Sequence, residues 1–212
     1  MNNMENILLL GKEILMDESK VLLRYSPGED WLDYWKPMNG HWDCHDGYIW
    51  GTEPGNFGGI LFSKESYPQN VMFSFTIGAE LPATRDLNAV FCANWNQETD
   101  YLGLSYVCGL NGWYEHKSGI EKNAPDASVP LYSTTSLYQY TPGTEVRMTA
   151  GAIDGHCFMI VDGVLITELI DPSPIRGGHV GFSAYCTKLK IKDIEIREIA
   201  WKPRTQLYDP EF

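Results

Sequence analysis

The sequence predicts an all-β protein folded as an antiparallel β-sandwich or jelly roll. Short runs in which apolar and polar residues alternate recur along the chain, as in half-buried strands. Turn pairs such as Asp154-Gly155 and Asp162-Gly163 separate these runs at the spacing of two-residue hairpins. No long amphipathic helix lies between them. Strands joined by turns rather than by helices are typical of antiparallel sheets packed face to face.

The clearest strand covers residues 71–77, where the odd-numbered positions are apolar and Ser74 and Thr76 face the other way. The segment 145–169 reads as a three-stranded meander because it contains both hairpin turns. The last predicted strand changes its inward phase midway, which requires a bulge at Lys192-Asp193. The remaining strand predictions cover residues 89–95, 101–108, 179–185 and 189–199.

Two segments depart from this rhythm. Residues 5–18 could form one or two helical turns. Residues 116–144 lack a sustained core pattern and are rich in Ser, Thr, Pro and Tyr. Since structureless loops longer than about 15 residues are uncommon and often functional, we expect this segment to be a loop beside a binding face.

A chain of 212 residues suits one domain. We therefore expect a single sandwich over 1–212, with a core at about 25–200 and terminal extensions packed on it. The apolar run at residues 7–10 is too short for a secretory signal, and no stretch approaches the roughly 20 residues of a membrane span. Five widely spaced cysteines without a CxxC pair fit reduced thiols. These features predict a soluble cytoplasmic protein.

The charge and the aromatic content point to different partners. With 16 basic and 28 acidic residues the net charge is −12, which argues against nucleic acid and anionic membranes as partners. The chain has 7 Trp, 12 Tyr and 8 Phe, and the rings of Trp and Tyr combine a stacking face with a polar group. The composition therefore favours a ligand that stacks on aromatic rings.

The order of these segments resembles the concanavalin-A-like lectin/glucanase jelly roll, and in layout the YesU-like proteins and 3-keto-disaccharide hydrolase domains. The matching pieces include HWDCHDGYIWG at 41–51, NAVFCANW at 88–95 and LKIKDIEIREI at 189–199. The similarity covers roughly residues 25–200. Proteins of these families bind or process sugars, so the resemblance implies a saccharide ligand, whereas a reaction has to be argued from a site.

The glucanase motif of this superfamily is incomplete here. A retaining glucanase would show E-x-D-x-x-E, with two carboxylates about 5 Å apart on one strand face. The chain has Glu98 and Asp100, but Gly103 stands where the second glutamate is required. Glu98 and Asp100 therefore stay candidates only, against the simpler interpretation of a solvated carboxylate pair in a loop.

Two clusters of aromatic and polar residues follow predicted strands and could form a sugar groove, since sugars bind to flat rings together with amide or carboxylate groups. The second cluster contains Glu115 and His116, which face opposite sides of a strand. Glu115 shares its side with Trp113 and is the preferred acid–base candidate. The candidate substrate-binding residues are Asn94, Trp95, Asn96, Tyr106, Trp113 and His116.

A third group, His41, Asp43 and His45, contains residues that commonly ligate metals. In a strand the two histidines lie about 13 Å apart, too far to share one ion. We expect a core strand with Trp42 and Cys44 inward and these polar residues outward, and we expect no metal and no cofactor. The sequence also lacks the GxSxG, HExxH and P-loop motifs.

The sequence therefore predicts a protein that holds a saccharide in an aromatic-lined concave groove. If it processes glycosides, acid–base catalysis by Glu115, Glu98 or Asp100 is the first mechanism to test. Two alternatives stay open. One is a non-catalytic carbohydrate-binding module, and the other is a scaffold that uses a sandwich face for self-association into a homo-oligomer.

Overall fold

The computed structural model describes residues 5–53, 58–113, 117–124 and 130–204, and these residues are mostly in strands. A single turn of helix, α1 (Trp31–Tyr34), ends just before Trp35. Within the described ranges, no helix is long and apolar enough to cross a membrane. The strands are β1 (Ile7–Leu9), β2 (Lys12–Ile14), β3 (Lys20–Tyr25), β4 (Trp35–Asn39), β5 (His41–His45), β6 (Tyr48–Thr52), β7 (Gly59–Ser63), β8 (Tyr67–Pro68), β9 (Val71–Ala79), β10 (Leu87–Ala93), β11 (Trp95–Asn96), β12 (Tyr101–Leu102), β13 (Ser105–Trp113), β14 (Lys117–Asn123), β15 (Leu131–Thr135), β16 (Glu145–Ile153), β17 (His156–Val161), β18 (Val164–Ile170), β19 (Gly177–Ala184), β20 (Lys188–Glu198) and β21 (Trp201–Pro203).

Two antiparallel sheets form the sandwich. Sheet I has the order β15-β14-β13-β10-β19-β7-β4, with β8 also paired to β19. Sheet II has the order β18-β17-β16-β9-β20-β6-β5, with β3 also paired to β20. Neighbours in space are often distant in sequence, as a jelly roll requires. The predicted all-β sandwich is thus confirmed.

The core lies between the two sheets and is built from alternating inward residues. Phe73 and Phe75 of β9 pack against Phe182 of β19, with ring centroids 5.2 and 4.9 Å apart. Trp35 of β4 is fully buried, and its ring lies 5.8 Å from that of Phe182. Each such buried side chain contributes roughly 1.5–3 kcal/mol relative to an exposed one. These cross-sheet contacts cover the inner face of sheet I and leave its outward residues for the opposite face.

The predicted meander and bulge are both present. β16, β17 and β18 pair in sequence, and the first turn residue of each hairpin takes a positive φ, 50° at Asp154 and 48° at Asp162. The pairing of β20 with β9 shifts its register between Lys192 and Glu195, and Asp193 has a φ of 52°. The extra residue of β20 at this bulge turns the side chain of Ile194 toward the core.

The helical turns expected at residues 5–18 are wrong. This segment forms β1 and β2, which join β21 in a separate three-stranded sheet. Gly11 makes the turn with a φ of 70°, and Leu9 and Ile14 are buried against Phe158 and other residues of sheet II. A glycine that favours a tight turn and a buried apolar face on each short strand together override the weak helical pattern.

The long loop expected at 116–144 is also wrong in part. The described residues of this segment include β14 and β15, which extend sheet I beyond β13. Only Ser118, Gly119 and Ile120 of β14 are buried, and β15 has no buried residue. The sequence signal was weak because strands with a solvated face and small or polar inward residues show little apolar alternation.

Candidate functional site

A cavity of about 250 Å³ opens on the outer face of sheet I. The residues around it occupy outward positions of strands whose inward neighbours, such as Leu87, Ala89 and Cys108, belong to the core. The cavity is lined by Asp86, Asn88, Tyr101, Leu102, Val107, Gly112, Trp113, Glu121, Asn123, Ser183 and Tyr185.

Asn88 of β10 forms part of the cavity wall, with Gly109 of β13 and Ser183 of β19 as its cross-strand partners. Its residue surface is only 7% exposed, and its Oδ1 atom has no hydrogen-bond partner. A Cβ on Gly109 would lie 2.0 Å from that oxygen, so only glycine leaves room for the amide. A buried acceptor without a donor costs about 1–3 kcal/mol, and a ligand that supplies a donor would recover this cost.

Asp86 lies next to Asn88 at the start of β10 and is also buried, with 3% of its surface exposed. Burial raises the pKa of its carboxyl group, while hydrogen bonds from Arg85 and from the Asn88 side chain oppose this shift. Arg85 Nε donates to Oδ2. A Cβ on Gly112 would lie 3.2 Å from Asp86 Oδ1 and 3.3 Å from Asn88 Oδ1. Both oxygens therefore lie close to the backbone of Gly112 at the cavity wall.

Trp113 and two polar residues of β14 form another part of the wall. Trp113 Nε1 donates a hydrogen bond to Glu121 Oε2 at 2.7 Å, which fixes the indole ring beside the carboxylate. Asn123 Nδ2 donates to the carbonyl oxygens of Leu102 at 3.1 Å and of Gly103 at 2.7 Å. The amide of Asn123 thereby ties β14 to the β11–β12 hairpin.

The β11–β12 hairpin lies over the outer face of sheet I and carries Tyr101 and Leu102 to the cavity. Its position is fixed by Trp95, whose ring meets Phe62 edge-on at 6.1 Å and whose Nε1 donates to Asp100 Oδ1 at 3.3 Å. Burial raises the pKa of the Tyr101 hydroxyl, with smaller contributions from Tyr185 and Glu53.

Asn94 and Asn96 support the hairpin from within. Asn96 Oδ1 accepts the backbone N–H groups of Glu98 at 2.9 Å and Thr99 at 3.2 Å, forming the turn. Asn94 Nδ2 donates to Leu104 O at 3.2 Å. These amides position the wall and do not themselves line the cavity.

Of the site residues proposed from the sequence, the structure places some at the cavity and others away from it. Trp113 lines the cavity, whereas Glu98 and Asp100 lie exposed on the hairpin turn outside it. The prediction that Tyr106 shapes the groove is wrong, because Tyr106 is fully buried among the core residues between the sheets. Its position in β13 has the inward phase. Glu115 and His116 lie outside the described residues.

Sequence reasoning missed most of the lining. Asn88 could have been found, since a polar residue at an outward position of a strong strand is a signal of a functional face. Glu121 and Asn123 were hidden because their strand was expected to be a loop. Tyr101 follows a turn and Tyr185 follows β19, and they adjoin the cavity only through the pairing of distant strands.

The group His41, Asp43 and His45 lies on β5, an edge strand of sheet II. All three residues are exposed, while Trp42 and Cys44 are half-buried. His45 Nε2 lies 3.4 Å from Asp43 Oδ1, and its ring stacks on Trp50. In the part of the chain that the structure describes, no group of three or more His, Cys, Asp or Glu residues is placed to hold a metal ion.

A second depression, of about 480 Å³, adjoins the first across Glu121 and Asn123. The charged residues that line it and not the first cavity are Lys122 and Asp171, and they are paired with each other, with Lys122 Nζ 2.7 Å from Asp171 Oδ2. The unpartnered acceptor thus belongs to the first cavity.

Solved structures share this fold. A Bacillus subtilis protein of unknown function with a galectin-like fold is 12% identical, with a TM-score of 0.66 over 85% of this chain and 97% of that one. The carbohydrate-binding module CBM66 from Bacillus subtilis is 12% identical, with a TM-score of 0.62 over 77% and 94%. The metal-free carbohydrate recognition domain of Emp46p is 16% identical, with a TM-score of 0.55 over 82% and 96%.

The protein thus has a lectin-like jelly-roll fold, as the resemblance to the concanavalin-A-like lectins and glucanases implied. No protein-family model matches the chain, and no curated protein matches it in sequence. At these identities the structural likeness shows the fold alone. The narrower resemblance to YesU-like proteins stays a prediction.

Proposed function

We propose that this protein binds a carbohydrate and holds one sugar unit in the outer cavity of sheet I. The observation that carries the proposal is the buried, unpartnered Oδ1 of Asn88, beside the buried carboxylate of Asp86. Buried polar atoms in native proteins are nearly always satisfied. Because Asn88 lines the cavity, its unpartnered acceptor points to a donor supplied from outside the chain, and sugar hydroxyls are such donors.

The rest of the lining fits a sugar ring. Tyr101, Trp113 and Tyr185 offer flat aromatic faces to the C–H face of a pyranose. Glu121 offers a carboxylate whose position is fixed by the Trp113 indole. A volume of about 250 Å³ is slightly below the roughly 300–1,000 Å³ of drug-sized sites, so the cavity suits one sugar unit rather than a chain.

Two of the structural neighbours are named for carbohydrate binding, CBM66 and the recognition domain of Emp46p. The shared fold favours a sugar ligand, and the residues that line the cavity support the same ligand.

The test compares sugar binding in two site variants and a matched control. We expect isothermal titration with a panel of monosaccharides to identify a ligand. We expect Trp113→Ala and Asn88→Ala each to weaken its binding about tenfold or more, a loss of about 1.4 kcal/mol. Trp50→Ala, on the outer side of sheet II, removes a comparable ring and should leave affinity unchanged. Affinity unaffected in both site variants would exclude this cavity.

Glycoside processing is a second candidate, favoured by the two carboxyl groups that line the cavity, Asp86 and Glu121. Burial disfavours the charged form of Asp86, the direction of change that a general acid requires. On this hypothesis Asp86→Asn abolishes turnover of aryl glycosides while the variant still binds the sugar. A wild-type protein that binds the sugar but turns over no glycoside between pH 4 and 8 would leave only the binding function.

A further inference from the structure

We infer that the cavity selects a sugar that keeps two free hydroxyl groups on the edge turned toward β14. Glu121 and Asn123 accept a hydrogen bond from one hydroxyl each, and sugars that are deoxygenated, methylated or acylated at these positions are rejected. This inference rests on the proposed carbohydrate-binding function and names its ligand class. Its basis is the set of hydrogen bonds that the two side chains already make, which leaves one acceptor atom open on each.

Glu121 lies at the edge of the Trp113 ring and has one carboxylate oxygen to spare. Its Oε2 atom accepts the Trp113 Nε1–H at 2.7 Å. Among the residues that the structure describes, Glu121 has no further hydrogen bond and no ion pair. Since Glu121 is half-buried and lines the cavity, its Oε1 atom is left to accept a hydrogen from a ligand.

Asn123 likewise presents an acceptor, because both hydrogens of its amide are in use. Its Nδ2 atom donates to the carbonyl oxygens of Leu102 at 3.1 Å and Gly103 at 2.7 Å. Carbonyl oxygens only accept, so the NH2 end of the amide must face them, and the Oδ1 end is fixed on the other side. Unlike Asn88 Oδ1, the open oxygens of Glu121 and Asn123 are not fully buried, so a ligand can reach them.

The two acceptors stand beside the ring on which a sugar would stack. Glu121 and Asn123 are two residues apart on β14, so they share one strand face with their Cα atoms about 7 Å apart. The Nε1–H of Trp113 lies in the plane of the indole, so the carboxylate that accepts it lies at the ring edge and leaves the face uncovered. Hydroxyl groups radiate from the edge of a sugar ring, and they are the donors that a neutral sugar offers.

The experiment removes one sugar hydroxyl at a time. Glucose, galactose and mannose are titrated beside their monodeoxy, deoxyfluoro and O-methyl derivatives at each position. Hydrogen, fluorine and a methyl ether all lack the donor that the acceptors require. For the hexose that binds, we therefore expect all three changes to weaken binding about tenfold or more at each of two positions.

Glu121→Gln tests whether the carboxylate reads one of these positions. The glutamine carbonyl still accepts the Trp113 N–H, while its NH2 replaces the open acceptor with a donor. We expect the ratio of hydroxyl to deoxyfluoro affinity to fall about threefold or more at one position and to persist at the other. Glu98→Gln, in the exposed hairpin turn outside the cavity, is the matched control and should leave both ratios unchanged.

Trp113→Phe provides a second variant in case Glu121→Gln does not fold, which the thermal midpoint establishes. It keeps an aromatic face but removes the N–H that holds the carboxylate. We expect the same position of the sugar to lose its preference for a hydroxyl, while the parent hexose still binds. A change at the same position in both variants assigns that hydroxyl to Glu121.

The outcomes separate this inference from the function on which it rests. A hexose that binds in a Trp113-dependent manner, yet tolerates loss of every single hydroxyl, overturns the inference and leaves carbohydrate binding intact. Hydroxyl preferences that are the same in Glu121→Gln, Trp113→Phe and the wild type overturn the role of Glu121. Absence of binding for every sugar of the panel overturns both the inference and the proposed function.

Discussion

Tyr106 donates its hydroxyl hydrogen to Asp171 Oδ2 at a distance of 2.7 Å, inside the protein. Asp171 Oδ2 also forms an ion pair with Lys122 Nζ at 2.7 Å. Asp171 Oδ1 accepts a hydrogen bond from the Ser173 N–H at 2.9 Å. The Tyr106 oxygen accepts the Ile175 N–H at 3.2 Å. One buried carboxylate and one phenol therefore anchor residues 171–175 to sheet I, which explains why Tyr106 belongs to the framework rather than to the cavity.

The first prediction removes a partner of this buried carboxylate. Lys122→Met leaves the Asp171 charge without its counter-ion, and such losses typically cost 3–5 kcal/mol. Tyr106→Phe removes one hydrogen bond to a charged group and should cost about 1.5–3 kcal/mol. Urea unfolding measures both values. Lys36→Met, at an exposed position, serves as the control, and a Lys122→Met protein as stable as the wild type would contradict the buried ion pair.

The second prediction concerns the space beside Asn88. Gly109→Ala places a Cβ within 2.0 Å of Asn88 Oδ1 and 3.0 Å of Leu87 O, so the amide must turn away. We expect a loss of about 1–3 kcal/mol in the free energy of unfolding and at least a tenfold loss of sugar affinity. Gly28→Ala is the control, because a Cβ there would meet only the side chain of Asp30 at 3.3 Å, and it should change sugar affinity not at all and stability little. If Gly109→Ala binds sugar like the wild type, Asn88 has no part in binding.

The third prediction is a pH dependence at His156, which joins the small sheet to sheet II. His156 is buried, with Lys12 Nζ 3.2 Å from Nδ1 and Glu168 Oε1 2.8 Å from Nε2. An ammonium can only donate, so Nδ1 accepts and the imidazole is neutral. Burial and then Lys12 lower the pKa of His156 below its usual 6.5, although Glu168 opposes the shift.

Because the unfolded state takes up the proton first, the contribution of His156 to stability is complete above pH 6.5. It is lost as the pH falls toward the lower pKa of the folded protein. The free energy of unfolding, measured by urea titration at a series of pH values, should therefore fall as the pH is lowered below 6.5 in the wild type. The fall should be smaller in His156→Gln, and His41→Gln should behave like the wild type. Equal slopes in all three proteins would contradict the prediction.

The fourth prediction concerns Glu145 on the outer face of sheet II. Burial disfavours its charged form, but hydrogen bonds from Lys190, Lys192 and Tyr48 outweigh burial and lower its pKa to about 2. Its stabilisation is present above pH 4.5 and is lost as the pH falls through about 2. Since the side chain still contacts solvent, Glu145→Gln should cost about 1 kcal/mol at neutral pH.

The matched comparison for Glu145 is Glu80→Gln, whose partner Lys188 forms an exposed pair. We expect this control to lose no more than a few tenths of a kcal/mol at neutral pH. Thermal unfolding at pH 7 and pH 2 distinguishes the two carboxylates. A Glu145→Gln deficit that is as large at pH 2 as at pH 7 would show that packing, not charge, is responsible.

The parts of the fold that were predictable have strong local signals. The strand with Phe73 and Phe75, the two Asp-Gly turns and the bulge at Asp193 all follow from alternation and turn chemistry in short windows. β1, β2, β14 and β15 were not predictable in the same way. Their few buried residues gain their environment from sheets built by distant segments, and this information is absent from a local window.

The site was less predictable than the fold for a related reason. The sequence drew attention to clusters that are dense along the chain, such as Asn94, Trp95 and Asn96, and these turn out to build the hairpin. The cavity instead collects single outward residues from separate strands, among them Asn88, Glu121 and Tyr185. Among the described residues, only Trp113 was both proposed from the sequence and found in the cavity lining. A large ring beside a turn stands out in the sequence and in the structure alike.

The outward placement of the cavity residues has a consequence for how this protein can change over evolutionary time. Asn88, Glu121 and Asn123 alternate with neighbours on the opposite side of their strands, so a substitution at these positions leaves the packing between the sheets untouched. Single substitutions at these positions can therefore alter the cavity lining without preventing the protein from folding. Gly109 is the exception, since a Cβ there would lie 2.0 Å from Asn88 Oδ1 and displace the amide at the cavity wall.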